Sequence, residues 1–139
     1  MREILFRGKR TGDGAWIEGG IWIEDNDVFI IGPIRYFPDT RDWDTYEYYV
    51  KNPVYRMGKN RVDPETVGQF TGLLDMNGKK IFEGDIVEVD GAVYVCRWDM
   101  GNFEFGLANA QESFGIVYAS HRIEVTATVH DNPDLLKGD

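Results

Sequence analysis

Apolar residues along this chain come in short runs separated by Gly, Asn, Asp or Pro. Such runs are typical of β-strands, and no apolar stripe with the i, i+3, i+4, i+7 spacing of an amphipathic helix follows the chain. The pattern therefore predicts a mainly β protein with few or no helices. The predicted strands are 3–7, 16–18, 21–23, 28–31, 46–51, 67–72, 86–89, 92–98, 103–107, 116–119 and 123–129.

Turn-forming residues between these runs predict tight reversals. The dipeptides Gly-Gly at 19–20 and Asp-Gly at 90–91 lie between apolar runs, and glycine accepts the positive φ angles that a two-residue hairpin needs. Asn-Gly at 77–78 predicts a third reversal. An Asp at the start of a strand is expected to cap its turn by accepting backbone hydrogen bonds. The residues assigned to turns are Gly19, Gly20, Asn77, Gly78, Gly84, Asp85, Asp90 and Gly91.

Short strands joined by such reversals favour a small barrel or sandwich, because a closed sheet has no free edges. The order of turn, strand, hairpin and strand along the chain predicts a small SH3-like barrel over about residues 84–130, packed against a more irregular β lobe. No low-complexity linker divides the chain. We expect one compact domain, 1–139, with an N-terminal lobe at 1–60 and a C-terminal lobe at 61–139. Such a barrel serves many functions and selects none.

Composition narrows the class of protein. The chain of 139 residues carries 15 basic and 24 acidic side chains, a net charge of −9. Binding to a phosphate backbone depends on clustered cations, so no direct nucleic-acid binding is expected. The first residues lack the apolar run of a signal peptide, and the longest apolar stretch, Val28–Ile31, is too short to cross a bilayer. The single cysteine cannot form an internal disulfide. These features predict a cytoplasmic protein without membrane contact.

The two histidines do not form a metal motif. His121 and His130 flank the predicted strand 123–129, and at about 3.3 Å per residue that strand separates them by roughly 30 Å. Neither stands in a tight spacing with Asp or Glu that is typical of metal ligands. They are expected to be polar residues at the ends of a strand, and no metal site is predicted.

The candidate nucleophiles also have structural interpretations. Cys96 lies in an apolar strand, where a lone cysteine is expected to be a small buried residue. Ser113 and Ser120 do not lie in a Gly-x-Ser-x-Gly elbow. Glu83 and Asp85 could act as an acid–base pair, but capping explains Asp85 at its turn. No glycine-rich phosphate loop is present. The sequence predicts no catalytic residue and no cofactor.

An acidic, aromatic segment at 39–49 is the main candidate for function, within a stretch from 36 to 49 that is expected to be a long loop or insertion. Trp and Tyr are favoured anchors of protein interfaces because they bury a large area at low entropic cost. The alternative is a solvated loop that covers the core with its rings. The candidate partner surface consists of Trp43, Tyr46, Tyr48, Tyr49, Asp42 and Asp44.

The segment 66–87, TVGQFTGLLDMNGKKIFEGDIV, resembles the central signature of the YopX family. Three flanking segments, 2–7, 16–19 and 128–136, are similar to other parts of that family, so the resemblance spans nearly the whole chain except the region 33–60. The resemblance implies a protein of temperate phages or prophages. It implies no established activity, and no catalytic residues are carried over from it.

Three functions remain open at this stage. The first is a non-catalytic phage accessory protein, an oligomeric or protein-binding β module whose partner is a second copy or a host or phage protein. The second is an acidic mimic of nucleic acid that blocks a host DNA-binding protein. The third is a metal-dependent hydrolase that uses scattered carboxylates with His121 or His130. The residues favour a protein without enzymatic activity.

Overall fold

The computed structural model describes residues 4–102, 104–119 and 121–136. Within these residues the chain forms eleven strands, one α-helix, α1 (Trp43–Lys51), and three short 3-10 helices at Pro64–Thr66, Ile116–Ala119 and Pro133–Leu136. The prediction of a mainly β protein with few helices is confirmed. Residues 3 and 103, where two strands were predicted to begin, lie outside the described residues, as does Ser120.

The first sheet is antiparallel and has the strand order β4-β3-β2-β1-β5-β6. Its last strand reaches Phe82, so it extends well past residue 60. The division into lobes at that point stays a prediction. Its strands are β1 (Phe6–Lys9), β2 (Trp16–Glu24), β3 (Asp27–Tyr36), β4 (Val54–Val62), β5 (Gly68–Leu74) and β6 (Lys80–Phe82).

The second sheet is also antiparallel and has the order β10-β9-β8-β7-β11. In the described ranges β10 and β11 form its two edges and do not pair with each other, so closure of the expected SH3-like barrel is not observed. The predicted strand at 116–119 is wrong, because these residues form a 3-10 helix before the last strand. The strands are β7 (Asp85–Val89), β8 (Ala92–Asp99), β9 (Glu104–Ala108), β10 (Ser113–Gly115) and β11 (Ile123–Thr128).

The described residues form two apolar clusters. The smaller lies in the first sheet, with Ile17, Ile30 and Val62 at its centre. The larger combines residues of the second sheet with Ile81 of β6 and places most of the apolar core in the C-terminal half of the chain. Its members are Ile81, Val87, Val89, Tyr94, Cys96, Phe105, Leu107, Ile116, Ala119, Ile123 and Val125.

The predicted hairpin at Gly19–Gly20 is wrong, because β2 runs straight through both residues. The chain reverses instead at Asp25 and Asn26, whose φ angles are 49° and 73°. Asp and Asn adopt this left-handed conformation more readily than most side chains. Glycine is needed at position 19 for a close approach, since a Cβ there would lie 1.8 Å from the carbonyl oxygen of Ile31.

The strand predicted at 46–51 is also wrong, because Trp43–Lys51 is helical. The stretch expected to be a long loop or insertion is an insertion between β3 and β4 that contains this helix. The Asp42 carboxylate caps this helix by accepting from the Asp44 N–H at 3.1 Å and the Thr45 hydroxyl at 2.6 Å. An Asp in this position satisfies N–H groups that the first turn leaves free. The alternation from Tyr46 to Lys51 resembled a strand, but it does not mark a buried face.

Candidate functional site

The most unusual surface of the protein is a projecting hairpin that carries α1 at its tip. We call residues 33–58 the arm: they comprise the end of β3, the helix and the beginning of β4. Tyr36 pairs with Val54 where the two strands meet the helical insertion. No residue of α1 is buried. The exposed large apolar side chains of the arm are Ile34, Phe37, Trp43, Tyr46, Tyr48, Val50, Val54, Tyr55 and Met57.

The helix is held to the hairpin along one side. The Arg35 guanidinium donates to the carbonyl oxygen of Val50 at 2.7 Å, near the C-terminal end of α1. The rings of Tyr49 and Tyr36 are nearly perpendicular, with their centroids 5.5 Å apart. Tyr46 stacks on the ring of Phe37, the residue after the end of β3, at a centroid distance of 5.5 Å. These contacts fix the position of the helix and leave its other side open.

The structure places the six candidate residues of the partner surface on or next to α1. Trp43 and Tyr48 are 68% and 59% exposed, and Asp42 and Asp44 are exposed beside them. Tyr49 is half-buried and faces the hairpin, so it positions the helix. Sequence reasoning missed the strand residues of the arm, such as Tyr55 and Met57. Their individual runs are short, and only the pairing of β3 with β4 places them in the same hairpin as the helix.

A buried ion pair joins the two sheets. The Arg7 guanidinium of β1 lies 2.6 Å from the carboxylate of Asp85, the first residue of β7, and both side chains are at least nine-tenths buried. Asp85 also accepts the Phe82 N–H at 2.7 Å, which is the capping role expected from its turn. Burial raises the pKa of Asp85, against the opposing effects of the Arg7 charge and the Phe82 N–H. The guanidinium carbon lies 4.8 Å from each of the Trp16 and Phe82 ring centres.

Residues 130 and 131 pack against Trp16 and Lys9, beside this ion pair. Asp131 accepts from the Lys9 ammonium at 2.6 Å and from the Trp16 indole N–H at 2.8 Å. These two hydrogen bonds lower the pKa of Asp131. The His130 ring lies 6.0 Å from that of Trp16, and burial followed by the Arg7 charge lowers the pKa of His130. The four segments that carry the family resemblance therefore meet here, at the junction between the sheets.

The junction consists of packed side chains and an ion pair. Cys96, a candidate nucleophile in the sequence, is not accessible to solvent. Cys96 is fully buried, and this burial raises the pKa of its thiol to about 12. A thiol with such a pKa is protonated at neutral pH and is not an activated nucleophile. Ser113 is exposed on the short strand β10. Over the described ranges no three His, Cys, Asp or Glu side chains form a group that could hold a metal ion.

None of the helices in the described part of the chain is long and apolar enough to span a membrane.

The two sheets, the buried junction and the exposed arm define a mainly β protein whose exposed aromatic side chains are concentrated on the arm. The family model for the YopX protein matches residues 21–137, and the chain belongs to the YopX family. The chain is also similar to a solved structure, the crystal structure of protein EF1440 from Enterococcus faecalis. That likeness has a TM-score of 0.59 at 21% identity, covers 99% of this chain and 100% of the other, and shows a shared fold. A search of curated proteins finds no significant match.

Two glycines near the junction are expected to be intolerant of side chains. Gly84 has a φ of +92°, and a Cβ there would lie 3.1 Å from His130 Nε2, while Gly78 has a φ of +81° in open space. Valine at either position is expected to lower the melting temperature by several degrees, since a strained backbone costs on the order of 1–3 kcal/mol. Circular dichroism melts test this. Gly12→Val is the control, because Gly12 has neither a positive φ nor an atom near its Cβ position. Unchanged melting of both variants contradicts the assignment.

Proposed function

We propose that this YopX-family protein is a non-catalytic β module that acts through protein contact, and that the arm is its contact surface for a second copy of the chain. The observation that carries the proposal is the helix α1, which has no buried residue although it contains Trp43, Tyr46, Tyr48 and Tyr49. A short helix depends on tertiary packing of its apolar face for its stability. Contact with another chain supplies the packing that the hairpin does not.

The arm exposes much apolar side-chain area. Nine of its large apolar side chains are between 37% and 70% exposed, and five of the nine are aromatic, a side-chain class that buries about 150–250 Å² each. A standard interface takes about 800 Å² from each partner. Because strand neighbours such as Val54 and Tyr55 lie on opposite faces, one contact buries part of the exposed area of the arm, and backbone pairing adds to it.

The charges of the arm favour a second copy as the partner. Asp44 at the start of α1 and Arg56 on β4 are both exposed, and neither forms an ion pair with any residue that the structure describes. A surface that carries both signs beside apolar groups can match its own copy. In a two-fold interface each pair of contacting residues occurs twice, so one such match contributes two contacts.

Alanine variants of the two most exposed helix aromatics test the proposal. Trp43→Ala and Tyr48→Ala are each expected to raise the dimer dissociation constant about 30-fold, the equivalent of about 2 kcal/mol for an interface anchor. The melting temperature of the separated subunit should stay nearly unchanged, because neither side chain is buried in it. Sedimentation equilibrium and native mass spectrometry measure the association.

The matched control is Tyr118→Ala, which removes a tyrosine that is 74% exposed outside the arm. This variant should dimerise like the unmodified chain. A chain that remains monomeric at its highest soluble concentration contradicts the proposal. So does a pair of helix variants that melt at lower temperature with unchanged association, since the aromatic rings would then serve the subunit's own fold.

A further inference from the structure

One edge of β4 faces away from β3. Hydrogen bonds at the end of the strand show which of its residues direct their backbone groups toward that edge. Thr11 N–H donates to the Arg61 carbonyl at 3.0 Å, and Asp63 N–H donates to the Lys9 carbonyl at 2.9 Å. Both bonds flank the bridge between Arg10 and Val62. Residues 61 and 63 therefore direct their backbone polar groups away from β3, toward the opposite side of β4.

In an antiparallel strand these groups alternate in direction from one residue to the next. Tyr55, Met57 and Lys59 therefore direct their N–H and C=O groups outward, like Arg61. Pro33 supports this direction, because it lies opposite Met57 in the pairing of β3 with β4 and has no N–H to give to a ladder. No strand among the described residues pairs with this edge between positions 55 and 59.

We propose that β4 pairs antiparallel with β4 of a second copy, across a two-fold axis at Met57, so that the two six-stranded sheets become one. This arrangement rests on the proposed function and specifies the contact. It pairs Met57 with Met57 of the second copy and Tyr55 with Lys59 of the second copy. All the outward backbone groups of these three residues then have partners, which gives six hydrogen bonds across the axis.

The registers centred on Tyr55 and on Lys59 use the edge less well. An axis at Tyr55 places Met57 opposite Pro53 of the second copy, which has no N–H to donate. An axis at Lys59 places two lysines opposite each other, a destabilising pair, and sets Met57 against Arg61, whose carbonyl already accepts from Thr11. The register at Met57 avoids both conflicts.

The side chains of this face suit the same register. Met57 is 70% exposed and Tyr55 is 59% exposed, so pairing removes both from water. The Lys59 ammonium already lies 5.2 Å from the Phe29 ring and 5.9 Å from that of Trp22. The Tyr55 ring of the second copy adds a further aromatic neighbour, and cations are attracted to the faces of such rings.

Cysteine cross-linking tests the register. Met57→Cys should give a covalent dimer under mild oxidation, because directly opposite residues lie within the Cα separation that a disulfide tolerates. Tyr55→Cys should not link to itself, since its copy lies four residues along the strand, roughly 13 Å away. A mixture of Tyr55→Cys and Lys59→Cys chains should link. Cys96, the natural cysteine, is fully buried, so only the introduced thiols are expected to form disulfides between chains.

The expected result is at least about tenfold more covalent dimer from Met57→Cys than from Tyr55→Cys, and efficient linking only in the mixture for the other two variants. All variants replace exposed side chains, and melting curves like that of the unmodified chain verify their fold. A dimer by native mass spectrometry that Met57→Cys does not cross-link overturns the β4 pairing and leaves the proposed function standing. A monomer overturns both.

Discussion

Replacing Asp85 by alanine is expected to lower the free energy of unfolding by about 3–5 kcal/mol, because it leaves a buried charge without its partner. The partner is Arg7, whose guanidinium lies 2.6 Å from the Asp85 carboxylate and is nine-tenths buried. The Phe82 N–H loses its acceptor in the same variant. Chemical denaturation of the purified chain measures the loss. We expect the largest destabilisation of any single substitution considered for this protein.

Two controls separate the ion pair from a general effect of removing an aspartate. Asp27→Ala breaks the exposed pair with Arg61, at 2.8 Å, and should leave the melting temperature nearly unchanged, because water screens such pairs. The double variant Arg7→Met with Asp85→Leu should recover part of the loss, since apolar residues of similar volume can replace a buried pair. Wild-type stability of Asp85→Ala would show that the pair does not join the sheets.

Asp75→Ala is expected to cost about 3 kcal/mol or more, since hydrogen bonds to a charged group contribute about 1.5–3 kcal/mol each. The Asp75 carboxylate accepts the N–H groups of Asn77 and Lys79 at 2.8 Å and that of Val125 at 3.0 Å. It thereby ties the turn before β6 to β11. Asp99→Ala is the control, because Asp99 caps a turn by accepting from Gly101 but is only half-buried. An equal loss from both variants argues against the special role of Asp75.

The same residue should give the protein an acid-sensitive component of stability. Burial acts to raise the pKa of Asp75, but the N–H groups of Val125, Lys79 and Asn77 outweigh it and hold the pKa below its usual value. The stabilisation is therefore complete above the unfolded pKa of about 3.9 and is lost as the pH falls through the folded pKa. The difference in melting temperature between the unmodified chain and Asp75→Asn should shrink below about pH 4. A difference that stays constant in acid contradicts this.

Local chemistry explains which turns could be predicted from the sequence. Asp90 and Gly91 join β7 to β8 with φ angles of 51° and 85°, as a two-residue hairpin requires. The Gly19–Gly20 pair has similar residues, but it lies within β2, where Gly19 allows the close approach to Ile31. The two uses of glycine differ in whether another strand packs against the glycine. The local sequence pattern does not show which strand lies next to it.

The helix and the buried ion pair were missed for different reasons. Asp42 was a usable capping signal, but α1 lacks the buried apolar stripe by which sequence analysis recognises helices. Arg7 and Asp85 lie far apart in the chain, and nothing near either residue indicates a partner. The residues of the candidate partner surface lie together on or next to α1, and their role as a partner surface stays a prediction. The extension of that surface to Tyr55 and Met57 depends on the β3–β4 register.

Tyr36 and Val54 already close the β3–β4 hairpin, so the helix between them is an insertion that the ladder does not need. A short turn could connect the same two strands. The residues of this insertion can therefore change in kind and length while the pairing of the first sheet is preserved. The ladder of the first sheet therefore constrains the tip of the arm less than it constrains the two strands that carry it.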